Sequence, residues 1–297
     1  MEKIKLRKVR EFGEIISDTF NFIGKNFSQL VKIFIFFVAP VALISSAISG
    51  YAQNQMVSSM QSVTQMLEQD PGAISLEMFS GFFNGYYFIS LFLSLFTYGV
   101  IGYVLYTYMK LYEESKSGVV ELGSLREGLV GKTLLMTLFL LMSYTIYFFG
   151  LMLFIIPGVF LMIASSLLLV VHINEGTGFV DSFKRSMSLI SGYWWFTFSL
   201  FLVVLIILSF VVGFIQLIIS LAFGLGTSLL EQEPSTALSI VTAIITFLGY
   251  FFNFIMWIMV GILYYSLVEI KEGKNVFEKI DKIGNTHTRE EIDRMFR

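Results

Sequence analysis

The chain has no cysteine, only two histidines and four prolines, and little charge for its 297 residues. Without cysteine there are no disulfides, thiolate nucleophiles, iron–sulfur clusters or zinc–thiolate sites, and the redox compartment stays open. Charged residues make up 14% of the chain, against roughly 25% in soluble globular proteins. The net charge is -2, so no overall field directs the chain to nucleic acid, and no nucleic-acid partner is expected. No cofactor is expected either.

Apolar residues fill the space that charge leaves. They account for 56% of the chain, mean hydropathy is +0.76, and 32 Phe and 14 Tyr stand against 3 Trp. A water-soluble domain of this size could not hide that much apolar surface in one core. The composition therefore defines an all-α polytopic membrane protein. A spanning helix needs about 20 mostly apolar residues to cross a core roughly 30 Å thick. Six runs meet that need, at 30–50, 82–109, 133–156, 159–173, 194–223 and 238–268. They make one membrane domain over 1–270 with a tail at 271–297. The basic start leads into an amphipathic stretch with no cleavage-type small-residue site, so no signal peptide is expected.

All 20 Lys and Arg fall before residue 33, between 110 and 132, at 184–185, or from 271 onward. The three alternate connections, 51–81, 157–158 and 224–237, contain none. By the positive-inside rule both termini face the cytoplasm. The fourth run covers only about 22 Å at 1.5 Å per residue, while the third covers about 36 Å. Pro157-Gly158 joins them as a structural turn, either at the interface or at a re-entrant tip below it.

A polar–apolar segment with helical spacing precedes three of the runs. The clearest carries Phe179, Val180, Phe183, Met187 and Ile190 with Asp181, Lys184, Arg185 and Ser188 between them, a stripe suited to a helix in the cytoplasmic interface. The first has Ile15, Ile16, Thr19, Phe20 and Ile23, and the middle one opens with the capping-box pattern Ser124-Leu-Arg-Glu127. Their ends align as Phe22-Ile-Gly-Lys-Asn-Phe27, Leu129-Val-Gly-Lys-Thr-Leu134 and Leu189-Ile-Ser-Gly-Tyr-Trp194. This suggests a three-fold repeat of interfacial helix plus hairpin, over 12–111, 122–176 and 177–270.

Pro157-Gly158 after an aliphatic run, Asn174-Glu-Gly176, Ser186 with Gly192-Tyr-Trp-Trp195, and the closing Leu263-Tyr-Tyr-Ser-Leu267 and Glu272-Gly273 resemble a bacterial family of integral membrane proteins. That family includes the membrane domain of glycerophosphoryl diester phosphodiesterases and the YciC-like inner-membrane proteins. The likeness covers roughly residues 10–285 and implies a helical inner-membrane fold. The phosphodiesterase chemistry of that family belongs to a separate soluble barrel for which this chain has no room. Sequences of this look that carry a carotene-cleaving oxygenase label resemble iron enzymes with four histidines, and only His172 and His287 are present here.

Catalysis by acid–base or nucleophilic chemistry needs convergent titratable groups, and ion-coupled transport needs charges inside the membrane. No Asp, Glu, Lys, Arg or His falls mid-membrane in any run. His172 and Glu175, three apart at the end of the fourth run, are the one candidate pair. Asn84, Gln216 and Asn253 are uncharged polar groups within spans, suited to tying helices together. Met56, Met60, Val63 and Leu67 mark an amphipathic outer helix stopped by Asp70-Pro-Gly72. Lys3, Lys5, Arg7, Lys8 and Arg10 are placed to meet anionic lipid, and Thr288-Arg-Glu-Glu291 starts a short helix in the tail. The expected function is non-catalytic, namely handling or sensing a lipid-like molecule or scaffolding a membrane or cytoplasmic protein partner. The alternative is an uncoupled transporter for an apolar or zwitterionic solute, with an intramembrane enzyme third.

Overall fold

The computed structural model describes residues 3–69, 85–230 and 234–273, with side chains described except at 69, 223–230 and 234–236. Among these residues there are helices and no strands. Six helical stretches are long and apolar enough to cross a membrane: Phe12–Glu68, Gly85–Glu114, Leu129–Leu153, Ile155–Glu175, Trp194–Ala222 and Ala237–Glu272. Each covers one of the six runs.

The first run is longer than its hydropathy suggests. Helix α1 (Phe12–Ile33) continues through a π-helical segment, Phe34–Val38, directly into α2 (Ala39–Gln69). Pro40 explains the join. It has no N–H to offer the Phe36 carbonyl, and its ring would press on that carbonyl in a regular α-helix. One widened turn, in which the Ala39 N–H reaches Phe34 O, absorbs the misfit without ending the helix. The polar segment at 12–27 is therefore the start of the spanning helix. Met56, Met60, Val63 and Leu67 likewise lie in the last turns of α2, so no separate outer helix forms.

After α3 (Gly85–Glu114), the middle polar segment also departs from expectation. Leu122–Arg126 is a short 3₁₀ turn, Glu127 is extended, and Gly128 takes a left-handed conformation (φ 68°) before α4 (Leu129–Leu153). With Gly123 and Gly128 bracketing it, the Ser124–Glu127 pattern caps no helix. Only the third segment is a free-standing amphipathic helix: α7 (Phe179–Ile190), bounded by left-handed Gly176 and Gly192. The amphipathic segment expected before three of the spans thus takes three different local forms.

Helices α4 and α5 (Ile155–Ala164) form the expected hairpin, but the chain reverses at Phe154, the one extended residue between them. Pro157 sits in the first turn of α5, where a missing N–H costs nothing. Gly158 is the contact residue: a Cβ there would lie 2.7 Å from the Leu151 backbone nitrogen. The Pro157-Gly158 turn is therefore corrected to a reversal at Phe154, with proline starting a helix and glycine admitting its neighbour.

Helix α6 (Leu168–Glu175) completes the fourth span after a break at residues 165–167. It is followed by α7, α8 (Trp194–Leu230) and α9 (Pro234–Glu272). Helix α9 is the hub, packed against α1, α2, α3, α6, α7 and α8. Aromatic rings fill the core, with Tyr103, Tyr106, Tyr108, Tyr250 and Tyr265 all buried. Phe34 meets Phe247, Phe251 and Phe254 edge-on, with centroids 5.1–5.5 Å apart, the arrangement ring quadrupoles favour.

Candidate functional site

The fourth span is broken in its middle, and the sequence shows why. Ser165-Ser166 interrupts an otherwise aliphatic stretch, and serine hydroxyls compete with the helical backbone for hydrogen bonds. The Ser165 hydroxyl donates to Leu161 O (2.6 Å), so the Tyr147 hydroxyl, 2.6 Å away, donates to Ser165 in turn. The break takes the Leu167 N–H and the Ala164 C=O out of the helical ladder, and a single side chain from another helix answers both. Ser186 of α7 accepts from the Leu167 N–H (3.1 Å) and donates to Ala164 O (2.8 Å). Irregular backbone inside a membrane protein is tolerated where protein groups satisfy it or where it borders a cavity.

Both conditions hold here. A cavity of about 290 Å³ lies beside the break. Tyr98 and Tyr106 of α3 and Ser143, Tyr144 and Tyr147 of α4 line one side, and Ser165, Ser166, Asn253 and Trp257 stand among apolar residues on the other. Tyr98 stacks on Trp257 (centroids 6.5 Å apart, planes at 22°), and Tyr106 packs against the same indole at 5.5 Å. Gly102 of α3 makes room for that indole, since a Cβ there would come within 2.8 Å of Trp257. The Ser166 hydroxyl is buried and has no hydrogen-bond partner among the described residues. No Asp, Glu, Lys, Arg or His lines the cavity. An aromatic wall with a few neutral hydrogen-bonding groups, at the lower end of the usual ligand-site range of roughly 300–1,000 Å³, suits a small uncharged or amphipathic group.

The charged groups gather instead at one end of the bundle, here the basic end. Arg185, next to Ser186 on α7, donates to both Glu175 oxygens (3.0 and 3.2 Å) and pairs with Glu272 of α9. Tyr264 donates to Glu175 at 3.2 Å. Burial works against the Arg185 charge, but the two carboxylates outweigh it and hold its pKa above the ordinary value. Lys110 donates to Ile173 O (3.0 Å), and Tyr265 donates to Asn174 Oδ1 (2.9 Å), so the end of α6 is tied to α3 and α9. Left-handed Gly176 closes α6 by donating to His172 O.

The sequence-derived candidates scatter. His172 and Glu175 have different partners: His172 Nδ1 faces Thr177 O at 2.5 Å and its ring lies against Phe139, whereas Glu175 belongs to the Arg185 clamp. Asn253 lines the cavity and ties Nδ2 back to Gly249 O (2.9 Å). Gln216 lies on the exposed side of α8. Asn84, Asp70-Pro71-Gly72, His287 and Thr288–Glu291 lie outside the described residues. Among the described residues no three His, Asp or Glu side chains gather as a metal site. Several N-terminal cations are engaged within the protein. Arg10 is 3% exposed; it pairs with Asp18 (2.8 Å) and donates to the carbonyls of Lys5, Leu6 and Lys8. Lys3 pairs with Glu113 and Lys8 with Glu14.

Sequence reasoning missed Tyr98, Tyr106, Tyr144, Tyr147, Trp257 and the two Ser165–Ser166 hydroxyls. The serine pair inside an apolar run was the available signal; the tyrosines gave none apart from their excess.

These features define a polytopic α-helical membrane protein with a hydroxyl-lined helix break at its centre. Comparison of the chain with protein-family models, with curated proteins and with solved structures finds no match.

Proposed function

We propose that the protein is a non-catalytic, multi-pass component of a bacterial inner membrane that handles or senses a lipid-like molecule in the cavity beside the helix break. The cavity itself carries the reading: it combines an aromatic wall, neutral hydrogen-bonding groups and the unpartnered Ser166 hydroxyl. The resemblance to the membrane domain of glycerophosphoryl diester phosphodiesterases supports the localisation, and the Lys and Arg distribution supports cytoplasmic termini. Native mass spectrometry of the purified protein tests the binding. A retained lipid adduct is expected in the wild type, and Ser166→Phe, which fills the cavity, should remove it. An adduct retained equally by a folded Ser166→Phe protein sinks the proposal.

One observation favours a second reading. A helix interrupted at mid-membrane is the usual site architecture of secondary transporters, and the break at residues 165–167 has that form. Uncoupled flux of a zwitterionic or apolar solute in liposomes, lost on filling the cavity, would select it. For the scaffolding variant, α8 supplies the surface, since only 11% of its most apolar stretch is buried. A stoichiometric co-purifying protein is its signature.

A further inference from the structure

A second cavity shares a wall with the first. It has a volume of about 340 Å³ and lies between α3 and α4, with Tyr98 and Tyr144 lining both spaces. The two differ in chemistry. Leu91, Leu95, Leu141 and Phe148 dominate the second space, and its outer members face the surroundings of the bundle: Leu141 is 49% exposed and Phe148 64%. Its serine and threonine hydroxyls are engaged within the protein, Ser94 accepting from Tyr250 (3.0 Å) and Thr145 donating to Leu141 O (2.8 Å), which leaves the Tyr98 and Tyr144 hydroxyls on the wall shared with the inner cavity. It therefore presents an apolar crevice open to the side. The inner cavity adds polar groups that the crevice lacks, among them Ser166 and Asn253.

The threshold between them is asymmetric. Tyr98 is fixed, stacked on Trp257 and edge-on to Tyr250 at 5.4 Å. Tyr144 is 47% exposed, and among the described residues its one aromatic ring pair is with Tyr147, at 5.9 Å. A turn of the Tyr144 side chain would join crevice and cavity without moving a helix.

We propose that crevice and cavity form one site for a neutral long-chain lipid, reached sideways from the bilayer between α3 and α4. The chain lies along Leu91, Leu95, Leu141 and Phe148. Its head, a hydroxyl or carbonyl, passes Tyr144 and meets Ser166 and Asn253. The head is uncharged because neither space is lined by a charge of either sign, and an unpaired charge buried at that depth is expensive. This proposal rests on the lipid-handling reading and adds the ligand's charge class and its route.

The test is photolabelling of the full chain in phosphatidylcholine nanodiscs. The probes are a diazirine-bearing long-chain alcohol and the matching carboxylic acid in its ionised form, with labelled peptides mapped by mass spectrometry. The alcohol should label peptides of both the crevice and the Ser166–Asn253 cavity, and the acid should leave the cavity peptides unlabelled. Leu141→Trp fills the crevice at a half-exposed position and should lower cavity labelling about tenfold, while Leu141→Ala should raise it; a tenfold change in occupancy is a modest free-energy difference. Because one variant gains signal, a misfolded Trp variant cannot imitate the result. Cavity labelling unchanged in both variants overturns the lateral route and leaves the lipid-handling reading standing. Equal labelling by the acid overturns the neutral-head assignment. If no probe reaches the cavity peptides, this proposal and the reading beneath it both fall.

Discussion

Arg185 and Ser186 are adjacent on α7, yet they restrain α6 by opposite means. Arg185 works at the basic end, where it joins Glu175 to Glu272 with full charges. Ser186 works at the break, where it replaces two backbone bonds with one neutral hydroxyl. The surroundings decide which tool serves. At the edge of the bundle the Arg185 and Glu175 side chains are 29% and 27% exposed, so water offsets much of the cost of bringing charges together. Ser186 is fully buried, where an ion pair would lose more in desolvation than it regained in attraction. The same amphipathic helix thus holds both the charged clamp at the bundle end and the break beside the cavity.

The largest effect should come from the apolar side of this comparison, at Gly158. Gly158→Leu drives a side chain into the backbone of Leu151 and separates α5 from α4. Overpacking alone costs about 1–3 kcal/mol, and here backbone rather than a flexible side chain must yield. The expected outcome is loss of folded protein, read as aggregation in size-exclusion chromatography. Pro157→Leu should be well tolerated, because its position in the first turn of α5 needs no proline to form. If Pro157→Leu proved the more damaging of the two, the reversal at Phe154 would be wrongly described.

Arg10 tests the charged side where it is most buried. Its guanidinium holds Asp18 and three carbonyls of the N-terminal segment, while its backbone N–H donates to Ser266 of α9. Arg10→Ala should destabilise by about 3 kcal/mol, the lower range for breaking a buried charge pair. Thermal unfolding in detergent would show it, and faster proteolysis ahead of Phe12 should accompany it.

Ser186→Ala comes next. It strands the Leu167 N–H and the Ala164 C=O, and an unsatisfied buried group costs about 1–3 kcal/mol; a loss of about 2 kcal/mol is expected. The residue-level signature is faster hydrogen exchange at the Leu167 amide. Salt separates the two mechanisms, because screening weakens exposed charge pairs and leaves a buried hydroxyl contact untouched. A Ser186→Ala protein with native exchange at Leu167 would mean that the break satisfies itself by another route.

What could be read from the sequence follows from how directly each feature depends on local composition. Spans depend on hydropathy summed over some twenty residues, and every expected run has its helix. Breaks depend on one or two residues in competition with their surroundings. Pro40 looks like a stop but is absorbed by a π-turn, while Ser165-Ser166 reads as ordinary filler and interrupts the fourth span. The cavity was the least legible feature. Tyr98, Tyr144 and Trp257 converge only because of the rotational setting of three helices, which no single run records. Asn253 could be singled out because amides are scarce in spans, whereas tyrosines are common throughout this chain. His172 and Glu175 share a helical face in the sequence, but the left-handed turn at Gly176 brings the Thr177 carbonyl back to the histidine, and α7 claims the glutamate.

The smallest effect should be that of Glu175→Gln, and it sharpens the comparison from the other direction. The glutamine keeps an oxygen for Arg185 and Tyr264 but loses the charge, and Arg185 retains Glu272. Partly exposed pairs of this kind contribute about 0–1 kcal/mol, so thermal unfolding should shift by no more than about 0.5 kcal/mol, and less still in high salt. Hydrogen exchange at Leu167 should not change, because Ser186 holds the break independently of the clamp. If Glu175→Gln instead opened the break, charge at the basic end would be coupled to the cavity through α7, and the clamp would act on the site rather than merely anchor the helix. If it abolished lipid binding or flux while the fold survived, Glu175 would belong to the functional site itself.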